Sequence, residues 1–209
     1  MNAPQHPDLG FIHRFEPATT PGRPPLLLLH GTGGDENDLV PLGVRIAPGS
    51  ALLSPRGKVR ENGMPRFFRR LAEGVFDLDD LKARTHELAD FVAQARAAYA
   101  LEQPIAVGFS NGANIAAAMM LLRPEALAGA VLMRATVPFT PDEPADLRGV
   151  PVLILAGSAD PLVSADSRSA LAALLSGAGA DVSAVTIDAG HGLTPRDIAL
   201  ASRWLAERG

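Results

Sequence analysis

Residues 104–114 read Pro104-Ile-Ala-Val-Gly-Phe-Ser-Asn-Gly-Ala-Asn114, an apolar run followed by a serine that stands between two glycines. The apolar run predicts a buried strand, and the alanine-rich segment after it predicts a helix. Gly108 and Gly112 lie two positions either side of Ser110, where a sharp strand-to-helix turn brings the backbone too close to itself for a Cβ atom. Such a turn lifts the serine Oγ clear of the chain in a strained conformation. The pattern is therefore interpreted as a nucleophile elbow.

Strand-like and helix-like segments alternate along the rest of the chain. Apolar runs predict strands at residues 11–15, 25–29, 51–53, 105–107, 130–133, 152–155 and 182–187. Helical spacing predicts helices at residues 78–95, after the elbow, at residues 166–176, and from residue 194 onward. Alternation implies right-handed crossovers, so we expect an α/β fold with a mainly parallel, twisted sheet of six to seven strands and helices on both faces. The first run alone is expected to be an antiparallel edge, and no large cap domain is expected.

The composition of the chain excludes several classes of function. The 209 residues, 47% of them hydrophobic and 20% charged, suit a single globular domain spanning residues 1–209. A net charge of −4 provides no broad basic field for nucleic acid or anionic lipid, so neither is an expected partner. The chain has no cysteine, which excludes disulfides, thiolate metal sites and cysteine nucleophiles and leaves serine as the obvious nucleophile. No metal or other cofactor is expected.

The N-terminal segment bears on location. Residues 1–10 have neither a basic region nor a long apolar region, so export by a signal peptide is not expected and the cytoplasm is the default. The most apolar stretches, residues 26–29 and 113–122, are shorter than the roughly 20 residues that span a bilayer. No membrane span is predicted.

A serine nucleophile needs a base and an acid, and two residues occupy the expected places. In this fold class the partners follow the serine in the order Asp, then His, at strand ends. Asp160 lies in Gly157-Ser-Ala-Asp-Pro161, just past an apolar run, and His191 lies between the last strand and the last helix. Asp188, three residues before His191, is a rival acid. We predict Ser110, His191 and Asp160 as nucleophile, base and acid.

The other histidines fit the role of base less well. They are His6, His13, His30 and His86. His30 ends a strand and is expected to bond to loop backbone instead.

Acyl transfer also needs N–H donors aimed at the developing oxyanion. One is expected from the residue after the nucleophile, Asn111. The other is expected from the Gly-rich run Leu29-His-Gly-Thr-Gly-Gly-Asp35, which nominates the amide of Thr32. The alternative interpretation of this run is a phosphate-binding loop, although it has no Walker lysine and no G-x-G-x-x-G spacing before a helix.

The segment at residues 55–76 has no regular pattern and is interpreted as a substrate-binding loop. Met64, Phe67 and Phe68 either form an apolar wall for substrate or pin the loop to the body of the domain, and the sequence leaves both open. The segment also carries Arg56, Arg60, Arg66, Arg69 and Arg70. These arginines form either a solvated face or a surface that favours a carboxylate-bearing substrate.

Taken together, the motifs make the chain resemble the phospholipase/carboxylesterase family of α/β-hydrolases, which includes acyl-protein thioesterases and small bacterial carboxylesterases. The resemblance covers nearly everything from Leu26 onward. The pieces that carry it are Leu29-His-Gly-Thr-Gly-Gly-Asp-Glu-Asn-Asp-Leu39, Ser54-Pro-Arg-Gly57, Glu61-Asn-Gly-Met-Pro-Arg-Phe-Phe-Arg-Arg70, Gly108-Phe-Ser-Asn-Gly-Ala-Asn114, Ala156-Gly-Ser-Ala-Asp160 and Gly190-His191. The block from Glu61 and the Asn111 after the serine resemble a bacterial branch associated with responses to quinones and other aromatic electrophiles.

The resemblance implies the same triad and oxyanion residues as the argument from strand ends. It implies a serine hydrolase that cleaves esters of small to medium acyl chain through an acyl-enzyme, with a small-molecule ester as its partner. A thioesterase or lysophospholipase is the alternative enzyme, and a small-molecule receptor with a vestigial site is the alternative outside enzymes. Assembly as a homodimer is left open.

Overall fold

A seven-stranded sheet forms the centre of the computed structural model, which describes residues 7–208. In chain order the strands are β1 (His13–Glu16), β2 (Leu26–Leu29), β3 (Leu52–Pro55), β4 (Val59–Glu61), β5 (Met64–Arg66), β6 (Arg70–Ala72), β7 (Val75–Phe76), β8 (Ile105–Phe109), β9 (Gly129–Met133), β10 (Pro151–Gly157) and β11 (Asp181–Ile187). The helices are α1 (Val40–Ile46), α2 (Leu78–Tyr99), α3 (Asn111–Leu122), α4 (Ala165–Gly177) and α5 (Pro195–Ala206), with a short 3₁₀ turn at Pro124–Ala126.

The central sheet has the strand order β1-β3-β2-β8-β9-β10-β11. Strand β1 is antiparallel to β3, and all other neighbours are parallel. This confirms the predicted parallel sheet with an antiparallel edge at the N-terminal side. The sequence did not indicate α1, whose seven residues contain both Pro41 and Gly43 and are too few for a helical repeat.

Two apolar layers cover the two faces of the sheet. In β2, Leu26 and Leu28 pack on the side of α1 and α5, whereas Leu27 and Leu29 pack on the side of α2, α3 and α4. Side chains alternate across a strand, so a run of four leucines is fully buried only when both faces are covered. Among residues 7–208, none of the helices combines the length and apolar character needed to cross a bilayer.

Residues 55–76 are more regular than the sequence suggested. Two hairpins, β4–β5 and β6–β7, occupy most of the segment, so the expectation of an irregular stretch is wrong. The turn of the first is Asn62-Gly63, and both residues have positive φ (51° and 82°). Asn-Gly is the usual pair for a two-residue hairpin turn of this kind. The described chain has these hairpins between its sheet strands rather than a large cap.

The elbow depends on a very close crossing of α3 and β2. A Cβ atom on Gly112 would lie 2.0 Å from the carbonyl oxygen of Leu29, and one on Gly108 would lie 2.6 Å from the carbonyl oxygen of Gly112. Both contacts are with backbone, which cannot rotate away. Ser110 takes a positive φ of 53° with ψ −115°, which is unusual for a residue with a side chain. The close approach predicted from the two glycines is confirmed.

We predict that Gly112→Ala lowers the free energy of unfolding by about 1–3 kcal/mol or more, because its methyl group overlaps backbone atoms of β2. Urea denaturation followed by circular dichroism measures the change. Gly177→Ala is the matched control, since a Cβ at this exposed position at the end of α4 meets no atom within 4 Å. Equal stability of the two variants would contradict the steric account of the elbow.

Candidate active site

Three of the predicted residues meet at the carboxyl edge of the sheet. Ser110 follows β8, Asp160 follows β10 and His191 follows β11, and parallel strands end at the same edge. The distance from His191 Nε2 to Ser110 Oγ is 2.9 Å, and the distance from His191 Nδ1 to Asp160 Oδ2 is 2.8 Å. A carboxylate can only accept, so Nδ1 carries the proton and Nε2 presents its lone pair to the serine hydroxyl. This arrangement can take a proton from Ser110.

The structure distinguishes the two candidate acids. The side chain of Asp160 is fully buried, and its second oxygen, Oδ1, accepts a 2.8 Å hydrogen bond from the N–H of Leu162. Asp188 is exposed and accepts a hydrogen bond from the hydroxyl of Ser158 instead. Asp160 therefore faces the imidazole with its orientation fixed by hydrogen bonds, whereas Asp188 bonds to Ser158 in the loop after β10.

The other histidines are engaged elsewhere. His30 Nδ1 donates to the carbonyl of Gly31 at 2.7 Å, and its Nε2 accepts from the N–H of Gly57 at 3.0 Å, which confirms its bonding to loop backbone. Burial lowers the pKa of His30, in keeping with the neutral ring that this pairing requires. His13 bonds to Phe11 and Tyr99, and His86 lies within α2. His6 lies outside the described residues.

The two nominated oxyanion residues border the same cleft as Ser110 and His191. Within residues 7–208, the backbone N–H groups of Thr32 and Asn111 donate to no protein acceptor. Asn111 is the first residue of α3, where the N–H has no partner inside the helix. Both amides are therefore available to a substrate oxygen.

Hydrogen bonds from the β4–β5 hairpin and from the residue that follows it hold both Thr32 and Asn111 in place. Arg66 Nη1 donates to Thr32 Oγ1 at 2.7 Å, and the N–H of Gly33 donates to the carbonyl of Pro65 at 2.9 Å. On the other side, the N–H of Phe67 donates to Asn111 Oδ1 at 2.8 Å. The hairpin thus holds the loop after β2 and the first turn of α3 in fixed positions relative to each other. No sequence pattern indicates these cross-links, which join residues 32 to 44 positions apart.

The three residues proposed for an apolar substrate wall do not line this cleft. Phe67 and Phe68 are 2% and 0% exposed and belong to the core, with Phe67 against the His30 ring and Phe68 edge-on to Phe76. Of the two interpretations, anchoring is the one that the structure supports for both phenylalanines. Met64 is 41% exposed and lies beside Gly33, outside the cleft lining. Paired aromatics look alike in sequence whether they anchor a loop or face a ligand, so the pattern could not distinguish these two roles.

The cleft itself has a volume of about 300 Å³ and is lined by both apolar and polar side chains. Its apolar side chains are Phe76, Phe109, Leu162 and Val163, and its polar ones include Arg66, Arg70, Glu73, Asn114 and Thr136. Residues 55–76 do contribute to the cleft, but through Arg66, Arg70, Glu73, Gly74 and Phe76. Leu162 and Val163 directly follow the Asp160-Pro161 turn, a position that could have marked them as cleft residues.

Sequence reasoning also missed a buried ion pair behind His191. The side chains of Arg134 and Asp197 are both 0% exposed and are joined by two hydrogen bonds of 2.7 and 2.9 Å. Arg134 Nε donates to the carbonyl of Gly190 and Nη2 donates to the carbonyl of Gly192, each at 3.0 Å. The guanidinium is therefore hydrogen-bonded to the backbone on both sides of His191.

Asp197 links the Arg134 guanidinium to α5. Its Oδ2 accepts from both the N–H and the hydroxyl of Thr194, which forms a capping box at the start of the helix. Burial acts to raise the pKa of Asp197, but the hydrogen bonds from Arg134 and Thr194 outweigh it and hold that pKa below its usual range. The carboxylate is therefore charged, and the histidine loop is fixed to the helix that follows it.

Comparison with known proteins places the chain in a class. A family model described as the alpha/beta hydrolase fold matches residues 52–149. The protein MhqD of Bacillus subtilis (strain 168), whose name assigns it as a hydrolase, is 47% identical over 184 residues, which cover 87% of this chain and 92% of MhqD.

Two solved structures extend the comparison to the whole fold. A carboxylesterase from Bacillus cereus is 43% identical with a TM-score of 0.94, covering 97% of this chain and 96% of its own. A carboxylesterase from Mesorhizobium loti is 36% identical with a TM-score of 0.91, covering 99% of each chain. The protein is an α/β-hydrolase. It belongs to the carboxylesterase family of that fold, as the sequence motifs indicated.

We predict that Arg134→Met lowers the free energy of unfolding by about 3–5 kcal/mol, because it leaves the Asp197 carboxylate buried without its partner. Urea denaturation measures the loss. The matched control is Arg148→Met, which breaks a hydrogen-bonded pair with Asp146 on the surface, where the arginine side chain is 84% exposed, and should change stability little. Losses of similar size in the two variants would show that the buried pair does not hold this part of the chain.

Proposed function

We propose that this protein is a serine carboxylesterase that cleaves carboxylic esters of small to medium acyl chain through an acyl-enzyme. The observation that carries the proposal is the continuous hydrogen-bonded line from Asp160 through His191 to Ser110, with both distances under 3 Å. That line ends at a serine on a strained turn between a strand and a helix, where the hydroxyl is presented to the cleft.

In the first half of the reaction, Ser110 Oγ attacks the ester carbonyl carbon as His191 Nε2 takes the hydroxyl proton. The Asp160 carboxylate stabilises the imidazolium that forms. Negative charge develops on the carbonyl oxygen, and the N–H groups of Thr32 and Asn111 are the donors for it. The tetrahedral intermediate collapses when the bond to the alcohol oxygen breaks and His191 returns the proton to that oxygen.

In the second half, the alcohol leaves and water takes its place. His191 removes a proton from the water as its oxygen attacks the acyl carbon, and the same two amides hold the second oxyanion. Breakdown releases the carboxylic acid and returns the proton to Ser110. The protein begins and ends the cycle in the same protonation state, and no cofactor is required by this chemistry.

The expected substrate size follows from the dimensions of the cleft. A volume of about 300 Å³ is at the small end of ligand sites. Phe109, Leu162 and Val163 offer an apolar surface next to the catalytic residues, which suits a short hydrocarbon chain. Long acyl chains would extend beyond the cleft into water, and therefore gain less from burial.

The alternatives share part of this chemistry. A thioesterase or lysophospholipase would use the same acyl-enzyme, and parallel rates on a short ester, an acyl thioester and a lysophospholipid separate the three activities. A receptor with a vestigial site would hydrolyse none of them. The paired side chains at Ser110 favour an active enzyme over a receptor.

We predict that Ser110→Ala reduces kcat on p-nitrophenyl butyrate by about 10³-fold or more, because the acyl-enzyme cannot form. Asp160→Asn should reduce kcat by roughly 10²–10⁴-fold, since it disfavours the required histidine tautomer. Asp188→Asn makes the same chemical change three residues from His191 and should leave kcat close to that of the parent. The proposal fails if Ser110→Ala retains the parent rate, and the choice of acid fails if Asp188→Asn is the more damaging substitution.

A further inference from the structure

Three arginines border the cleft, and their charges are compensated to different degrees. Arg134 is paired with Asp197 and has every nitrogen engaged. Arg70 donates through Nε and Nη2 to Glu61 and through Nη1 to Glu73. Each of these two arginines therefore has at least one carboxylate hydrogen-bonded directly to it.

Arg66 differs from both. Its side chain is 4% exposed, yet its hydrogen bonds are to neutral groups: Nη1 donates to Thr32 Oγ1 and Nε donates to the carbonyl of Phe68. The nearest carboxylate is that of Glu61, 3.4 Å from Nε, and both of its oxygens already accept from Arg70. Within the described residues, the hydrogen bonds of Arg66 leave its Nη2 without a protein acceptor. One nitrogen of this largely buried guanidinium is thus open to a ligand on a residue that borders the cleft.

Such an arrangement leaves a charged donor for a ligand. Nη2 of Arg66 is not among the fully buried side-chain atoms that lack a partner, so on this cleft-lining residue it keeps access to solvent, and a ligand can replace that water. Burial is the main reason that the pKa of Arg66 is lowered, with the attraction of Glu61 only partly opposing it. Arginine pairs well with carboxylates because its planar N–H groups match the two oxygens.

The other charged side chains that border the cleft do not pair with Arg66. Glu73 also borders the cleft, but its side chain is 63% exposed and bonded to Arg70, so water screens it. Asp160 is buried against His191. Arg66 and Arg70 share the partly buried carboxylate of Glu61, and the second carboxylate, that of Glu73, pairs with Arg70 rather than with Arg66.

We propose that Arg66 binds a free carboxylate on the substrate, so that the preferred substrates are esters that carry a second, ionised carboxyl group. The carboxylate accepts from Nη2 of Arg66, while the hydroxyl of Thr32, which accepts from Nη1, is free to donate to the same group. This inference rests on the proposed esterase function and adds a substrate class to it. The side chains fix the group that is recognised, and either the acyl or the alcohol half of the ester can carry it.

Two pairs of substrates test the proposal. For the acyl half, mono-p-nitrophenyl adipate is compared with p-nitrophenyl 6-methylheptanoate, in which an isopropyl group replaces the carboxylate. For the alcohol half, 4-butyryloxybutanoate is compared with 4-methylpentyl butyrate. The unmodified protein should have a kcat/KM about tenfold or more higher for the charged member of at least one pair.

The substitution Arg66→Gln should abolish that preference. Because Arg66 also holds Thr32, the substitution can slow hydrolysis of all esters, so the measured quantity is the ratio of charged to neutral kcat/KM rather than either rate. Arg60→Gln is the matched control: Arg60 lies on the same hairpin and loses the same charge, but it is exposed and does not border the cleft. Its ratio should match that of the parent.

Inhibition of the unmodified protein gives a second measurement that does not depend on how a variant folds. Adipate should inhibit hydrolysis of p-nitrophenyl butyrate competitively, and at about tenfold lower concentration than the neutral adipamide. The proposal is overturned if neither substrate pair shows a preference, if Arg60→Gln removes the preference as fully as Arg66→Gln, or if adipate and adipamide inhibit equally. Hydrolysis of the neutral esters that still requires Ser110 would, in each of these cases, leave the esterase function standing.

Discussion

The site depends on a single steric constraint, the contact between the first turn of α3 and the end of β2. Only residues without a Cβ fit at Gly108 and Gly112, where added atoms would overlap backbone oxygens. The turn between them forces Ser110 into a positive φ, a conformation that costs about 1–3 kcal/mol in an ordinary residue. Ser110 keeps it because its N–H donates to Met133 and its carbonyl accepts from Asn114. The strained serine is therefore a consequence of how the helix packs against the sheet.

Around this elbow, polar groups outside the proposed triad hold the candidate site residues in position from two sides. On one side, the β4–β5 hairpin and the Phe67 that follows it bond to Thr32 and Asn111, the residues proposed as oxyanion donors. On the other side, Arg134 bonds to the carbonyls that flank His191 and is itself neutralised by Asp197. Preorganised donors and bases need this kind of support, because small displacements weaken catalysis strongly. Loops that look independent in the sequence are thus parts of one rigid assembly.

The sequence predicted what local chemistry and chain order determine. The glycines marked the elbow, alternation of strands and helices gave the parallel sheet, and strand ends located Asp160 and His191. It could not predict side-chain pairing over long distances: Arg134 and Asp197 are 63 residues apart, and neither lies in a pattern that points to the other. It also left the role of Phe67 and Phe68 open, because burial decides it. The Asn62-Gly63 pair, by contrast, is a local sequence signal for the first hairpin.

The central claim is that His191, oriented by Asp160, activates Ser110 as a nucleophile. Its most direct test is covalent labelling with a fluorophosphonate, followed by intact-mass and peptide mass spectrometry and repeated with His191→Gln. The account predicts one adduct per chain, located on Ser110, and a labelling rate that falls by at least about 10²-fold in the His191 variant. An adduct on a different residue, or labelling of Ser110 at the same rate without the histidine, would contradict it.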